Sequence, residues 1–445
     1  MSFSFPRLAV FLLLFVAASL PTAAQITVKI TEGVPDPVPV AIAPFAGADR
    51  ESARFGGEIA NVVSADLARS GLFRALPEEA FLSRGEDADL RPNFNNWRVI
   101  GAHLLVVGKT SMQTDGRLHA LFRLWDVLTQ QQLAGVTYTT LPENWRRLAH
   151  KIADAIYKQV TGEDGYFDSR IVFVSETGPA DQRRKRLMLM DQDGAQARYL
   201  TDGANLVLTP RFSPTKQEII YLSYDRPNEP PSVHVLNIDS GQQEALGRFP
   251  GMQYAPRFSP DGRSVLITMT QEEGNSDIFS MDLGTRQLMR LTHTAGIDAA
   301  ASYSPDGTRI VFESKRSGTQ QLYVMDADGS EPRRISTGKG RFATPVWSPR
   351  GDLIAFTRIL GGQFHIGTMR PDGTDVRLLD SAYHAEGPTW SPNGRVLAYF
   401  KQNSAQDRRE GFSPGLWQVN ITGGAPRRIA TDTDASDPAW SPISP

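Results

Sequence analysis

Two hydrophobic patterns divide the chain near residue 165. Before it, apolar positions alternate between period two and a helical period; beyond it, they come in short strand-length runs separated by turn residues. Val265-Leu-Ile267, Arg309-Ile-Val-Phe-Glu313, Leu353-Ile-Ala-Phe-Thr357 and Val396-Leu-Ala-Tyr-Phe400 are such runs. Each follows a turn with an aromatic in front of it: Phe258-Ser-Pro-Asp-Gly262, Tyr303-Ser-Pro-Asp-Gly307, Trp347-Ser-Pro-Arg-Gly351 and Trp390-Ser-Pro-Asn-Gly394. Proline presets φ for the first central position, Asp or Asn suits the second, and glycine supplies positive φ. Shortened copies stand at Phe212-Ser213-Pro214 and Trp440-Ser441-Pro442, and the serine-to-serine steps are 46, 45, 44, 43 and 50 residues. Each unit continues with a second strand, a tight turn such as Asp326-Ala-Asp-Gly329 and a short final strand. Four short strands at this period predict a β-propeller blade.

The first unit, over residues 170–201, has three strands and lacks the aromatic-Ser-Pro strand. That strand stands at the other end of the chain, around Ala439 to Ile443. The count predicts six blades, one built from both chain ends, which removes the open sheet edges.

Residues 25–165 predict a small α/β domain. Gln25-Ile-Thr-Val-Lys-Ile30 alternates as a strand, and the proline-rich Gly33–Pro39 stretch cannot join a central sheet. Val40 to Phe45 reads as a buried strand. Ile59, Val62, Val63 and Leu67 give a helix over Glu58–Ser70, and Trp97–Ala102 reads as a second, short one. Strands follow at His103–Gly108, Leu118–Asp126 and Ala134–Tyr138. Pro142 opens a helix with Leu148, Ile152, Ile156 and Val160 on one face, ending at Gly162. The expected organisation is residues 25–165 as the α/β domain and 166–445 as the propeller.

Charge and composition narrow the function. The net charge of −2 argues against nucleic acid. Arg7, the apolar run Leu8 to Leu20 and Thr22-Ala-Ala24 form an export signal with cleavage after Ala24. Thirteen apolar residues are too few to span a bilayer, so no membrane span is expected in the mature chain. The absence of cysteine excludes disulfides and lipoprotein attachment.

No catalytic constellation emerges. Gly411-Phe-Ser-Pro-Gly415 matches a nucleophile elbow in letters, but proline follows the serine and no histidine occurs after His384. The Asp-x-Asp-Gly turns lack the spacing of a calcium loop, and the histidines lack metal-ligand spacing. Neither metal nor cofactor is expected. Arg183-Arg-Lys-Arg186 reads as a solvated loop. The Ser-Pro turns form one uniform face of the propeller. The loops of the other face differ between blades, as in Gly251–Ala255, Gly296–Ala301 and Tyr383–Gly387, and a diverse face on a rigid scaffold is where binding belongs.

The export signal, the α/β domain and six such blades resemble the TolB family, periplasmic components of the Tol–Pal cell-envelope system. Gln25–Ile30, Ala41-Ile-Ala-Pro-Phe45, Ala65–Gly71 and Pro438-Ala-Trp-Ser-Pro442 carry the resemblance. It implies a non-enzymatic scaffold in the periplasm, supporting outer-membrane integrity and envelope constriction during cell division. It implies binding of the lipoprotein Pal at Leu208, Met252, Ala255 and Ala299; the family often has histidine where Met252 stands. It also implies binding of the inner-membrane protein TolA by the segment Gln25 to Asp36, with Gln25, Ile26, Thr27, Val28, Lys29 and Ile30 as the contact strand. Other outer-membrane proteins are further partner candidates. The rival readings are an exported peptidase or hydrolase gated by its propeller, and a small-ligand-binding propeller.

Overall fold

The computed structural model describes residues 36–83, 89–179, 182–226, 228–247, 249, 251–271, 274–404 and 414–443. The signal segment, the strand Gln25–Ile30 and Gly411–Ser413 lie outside these residues.

The α/β domain is one sheet with helices on both faces. Its strands are β1 (Val38–Ile42), β2 (Ala46–Gly47), β3 (Phe73–Ala75), β4 (Leu104–Met112), β5 (Leu118–Asp126) and β6 (Gln131–Thr140), in the order β3-β1-β4-β5-β6, with β2 beside β4. β1 pairs in parallel with both β3 and β4. Pro39 therefore lies within a central strand, contrary to the expectation for the proline-rich stretch. It is tolerated because its missing donor faces the β4 side at the entry to the sheet, before β4 begins opposite Val40.

The helices are α1 (Arg50–Arg69), α2 (Phe94–Val99) and α3 (Trp145–Thr161). α1 starts eight residues before the predicted Glu58. Asp49 caps it by accepting from the Ser52 N–H at 2.8 Å. Gly56 is required inside it, because a Cβ there would meet the Phe45 carbonyl oxygen at 2.2 Å. α3 ends where Gly162 turns left-handed, with φ of +75°. α1 and α3 cover one sheet face through Ile59, Val63, Leu67, Ile152 and Ile156; α2 covers the other through Phe94 and Trp97.

Six four-stranded antiparallel sheets follow. The innermost strand of the first blade is the last of the chain, Asp434–Trp440, paired with β7 (Arg170–Thr177), then β8 (Arg184–Asp191) and β9 (Arg198–Tyr199). Closure by both chain ends is thus observed. The innermost strands of blades two to six are Leu206–Phe212, Gln253–Phe258, Asp298–Tyr303, Arg341–Trp347 and His384–Trp390. The basic run at 183–186 belongs largely to β8 rather than to a loop. Lys185 bonds Glu176 at 3.1 Å, Arg183 pairs with Asp434, and the Arg186 guanidinium sits over Tyr199. Pairing with β7 as far as Thr177 extends the strand past its apolar residues.

The α/β domain rests on the uniform-turn face, against the first and sixth blades. Its core continues into theirs through Tyr166, Phe167, Ile171, Met190, Val396 and Trp440. Around this apolar centre, Arg395 bonds Glu163 at 2.7 Å and Asn393 donates to the Asp164 carbonyl at 3.0 Å. Asn420 donates to the Ser70 carbonyl at 3.2 Å. Arg146 reaches Asp191 and Asp193 at 3.1 and 2.6 Å. The uniform face is therefore partly occupied. The diverse face is turned away from the α/β domain.

Candidate functional site

A single irregularity repeats around the mouth of the diverse face. Every innermost strand slips register once against its neighbour: between Leu208 and Arg211, Tyr254 and Arg257, Ala299 and Ser302, Ala343 and Val346, Glu386 and Thr389, and Ser436 and Ala439. At each slip one residue is left-handed: Thr209, Ala255, Ala300, Thr344, Gly387 and Asp437, with φ between +46° and +64°. Alanine and threonine there cost about 1–2 kcal/mol each over a relaxed backbone. In every blade except the fourth the next residue is proline: Pro210, Pro256, Pro345, Pro388 and Pro438. Proline has no N–H to donate, so the ladder loses least by breaking there. The result is a ring of six bulges held by the rigid blades.

Two of the ring's backbone N–H groups are tied to carboxylates. Thr209 donates to Asp437 Oδ2 at 3.3 Å, joining the first and second blades, and Thr344 donates to Glu313 Oε2 at 2.8 Å. Burial raises the Glu313 carboxyl above its ordinary range, against the opposing Thr344 hydrogen bond. Between the sixth and first blades the ring borders a cavity of about 210 Å³ lined by Glu176, Lys185, His384, Glu386, Asp434 and Asp437.

The residues expected to meet a partner spread unevenly over this mouth. Met252 is 50% exposed and stands at the rim. Ala255 is a ring residue and half-buried. Leu208 is half-buried, its side chain packed on the core between blades two and three. Ala299 is 2% exposed, because it stands one residue before the bulge; the ring residue of that blade is Ala300. The ring was not foreseen as a unit. The proline two residues before the Ser-Pro aromatic, as in Pro210-Arg-Phe212 and Pro388-Thr-Trp390, is the signal in the sequence that marks it.

Among the described residues, one group has metal-ligand spacing: His150, Asp191 and Asp193, away from the mouth. Its charges are already matched. His150 Nδ1 lies 2.6 Å from Asp66, and Arg146 bonds both acids of the blade. Burial alone would lower the His150 pKa, but Asp66, Asp191 and Asp193 outweigh it and raise it to about 10. A charged imidazole and a guanidinium occupy the place a cation would take.

A closed six-bladed propeller with a ring of bulges at one end and a small α/β domain on the other defines the class of fold. Comparison with known proteins places it further. Residues 157–444 match the TolB beta propeller domain and residues 26–133 the TolB amino-terminal domain. A Tol-Pal system protein TolB from Paramagnetospirillum magneticum is 53% identical over 442 residues, covering 99% of this chain and 98% of that one. The crystal structure of TolB from Acinetobacter baumannii superposes with a TM-score of 0.81 at 28% identity, covering 94% of this chain and all of that one. The chain belongs to the TolB family, whose place is in the Tol-Pal system of the periplasm. No helix among the described residues is long and apolar enough to cross a membrane.

Proposed function

We propose that this chain links two envelope partners: the lipoprotein Pal at the bulge ring, and TolA through the N-terminal segment 25–36. The observation that carries the first half is the division of the propeller's faces. One end supports the α/β domain through Asn393, Arg395 and Asn420, which, among the described residues, leaves the ring end open to a partner. Pre-paid backbone geometry at a partner site lowers the cost of ordering on binding. Met252 at the rim and Ala255 on the ring offer apolar contact, and across the mouth, between the sixth and first blades, Glu176, Glu386, Asp434 and Asp437 offer charge for the electrostatic register.

For the second half, the support is the alternation of Ile26, Val28 and Ile30 with Thr27, Lys29 and Thr31. Such a strand can add to the sheet edge of a partner. The described chain begins at Asp36 and Pro37, and Pro37 lines a groove of about 480 Å³ between the domains, with Arg69, Phe73, Arg74 and Asn420. There, among the described residues, β3 pairs with β1 alone and presents an edge. The segment therefore has a place to rest on its own protein as well as a partner to reach. Export through a signal cleaved after Ala24 would free Gln25 as the first residue, and the linkage would serve outer-membrane integrity and constriction at division. Calorimetry with purified Pal and with the periplasmic domain of TolA tests both halves. Binding of Pal that survives an acidic substitution at Ala255 would move the site off the ring.

A further inference from the structure

Just inside the ring, the innermost strands carry a second set of equivalent positions: Arg211, Arg257, Ser302, Val346, Thr389 and Ala439, each the first residue back in register after its bulge. They lie two residues below the ring, about 7 Å down the channel at the rise of a strand. At this rung, side chains lean towards the next blade. Ser302 Oγ accepts from the Trp347 N–H at 3.3 Å, and Thr389 Oγ1 from the Trp440 N–H at 3.1 Å. Four of the six positions are small or neutral. The other two are arginines on adjacent blades.

The two guanidiniums are poorly matched. Arg211 donates to the Pro210 carbonyl at 2.7 Å and feels Asp437. Arg257 has no hydrogen bond or ion pair with any described residue; burial and the neighbouring Arg211 both oppose its charge. Guanidinium keeps its proton in proteins, so the charge is not shed. Arg316 shows the contrast: it bonds Asp298, which stands on an innermost strand, at 2.9 Å. A half-buried fork with no partner among the described residues, beside a second fork on the same rung, is the arrangement that receives a planar or tetrahedral oxyanion.

We propose that Arg211 and Arg257 form an anion-binding site in the propeller channel, accepting an oxyanion or carboxylate beneath the bulge ring. The anion has two possible sources: a small inorganic ion, or a carboxylate side chain carried in by the protein that docks on the ring. The second source rests on the proposed docking of Pal; the site itself does not.

The test uses the full mature chain. Its thermal midpoint is followed in sodium phosphate against sodium chloride at equal ionic strength. Phosphate at a hundred times its Kd should raise the midpoint by about 4 °C. R257Q should melt no lower than wild type in chloride, since like-charge repulsion is relieved, and should lose the phosphate shift. R257K, which keeps the charge without the fork, should retain part of it. Pal is then titrated with and without phosphate. Competition, with weaker Pal binding by R257Q, assigns the anion to a Pal carboxylate; phosphate binding that persists in the complex assigns it to a free ion. A phosphate shift unchanged in R257Q would overturn the site. So would the absence of a shift together with unaltered Pal affinity in R257Q. If Pal fails to bind wild type at all, the docking reading fails, and the phosphate measurement still decides the site.

Discussion

The side-chain amide of Asn393 donates to the backbone carbonyl of Asp164 across 3.0 Å, between the sixth blade and the end of the α/β domain. In the third and fourth blades the same turn position is Asp261 or Asp306, whose carboxylate accepts from its own serine and from the backbone two residues on. Asn393 keeps both acceptor roles through Oδ1 and adds a donor that aspartate lacks. Asn393→Asp should therefore fold with an intact turn and a weakened domain contact. The expected cost is about 1 kcal/mol, from the lost part-buried hydrogen bond and a new carboxylate facing the Asp164 carbonyl. Thermal melting measures it; an unchanged midpoint would mean that the contact contributes nothing to docking.

Closure of the propeller rests on Trp440. Its indole N–H donates to Ser169 Oγ at 2.8 Å, its ring meets Tyr166 edge-on at 5.8 Å, and it is 6% exposed. Trp440→Ala should destabilise by about 3 kcal/mol or more. Removing residues 436–445 should cost far more than ten terminal residues ordinarily do, because β7 would become an open edge. Midpoints close to wild type for both variants would rule out closure by the two chain ends.

The network around His150 predicts a pH dependence. Its folded pKa of about 10 exceeds the ordinary 6.5. A raised pKa means that the folded state holds the proton more tightly. The stabilisation is therefore complete below pH 6.5 and is lost as pH rises towards 10. Melting midpoints at fixed ionic strength should fall across that window, and His150→Asn should flatten the fall. A wild-type midpoint that stays level, or rises, between pH 6.5 and 10 would contradict the charged imidazole.

Deleting residues 25–36 should abolish TolA binding while Pal affinity and the melting curve stay near wild type. The reason is that β1, which starts at Val38, already has β3 and β4 as neighbours and needs no further strand. Unfolding of the α/β domain on deletion would make the segment structural. TolA binding that survives would place that contact elsewhere.

The blades were readable because one turn recurs. Ser-Pro-Asp-Gly fixes a hairpin from local chemistry, and the Trp440 strand found its blade because residues 170–201 lacked one. The start of α1 was hidden because Gly56 and Gly57 weaken the helix signal, whereas Phe55 packing and close approach to Phe45 decide it. The domain contact left traces that local rules could not interpret. Arg350 and Asn393 depart from the aspartate of the repeat, and both face the end of α3: Arg350 lies 3.5 Å from Glu163. The bulge ring had a sequence mark in its prolines, but left-handed alanine and threonine run against local preference and are imposed by the blade.

The central claim, that the ring face binds Pal, is tested most directly by calorimetry on two variants of the third blade. Ala255→Asp places a charge on the ring at a left-handed position that aspartate tolerates well, so the fold should survive. Ala299 is unsuited to this purpose, since an acid at a 2% exposed site would disrupt the blade itself. Arg350 is unsuited as the control, because it touches the α/β domain. Arg263, exposed on the uniform-turn face of the same blade, takes that role as Arg263→Asp. A desolvated, unpaired carboxylate at a partner contact should raise the Kd for Pal by about 100-fold or more in Ala255→Asp. Arg263→Asp should bind as wild type does. Normal binding by Ala255→Asp with loss in Arg263→Asp would place the partner on the opposite face and contradict the account.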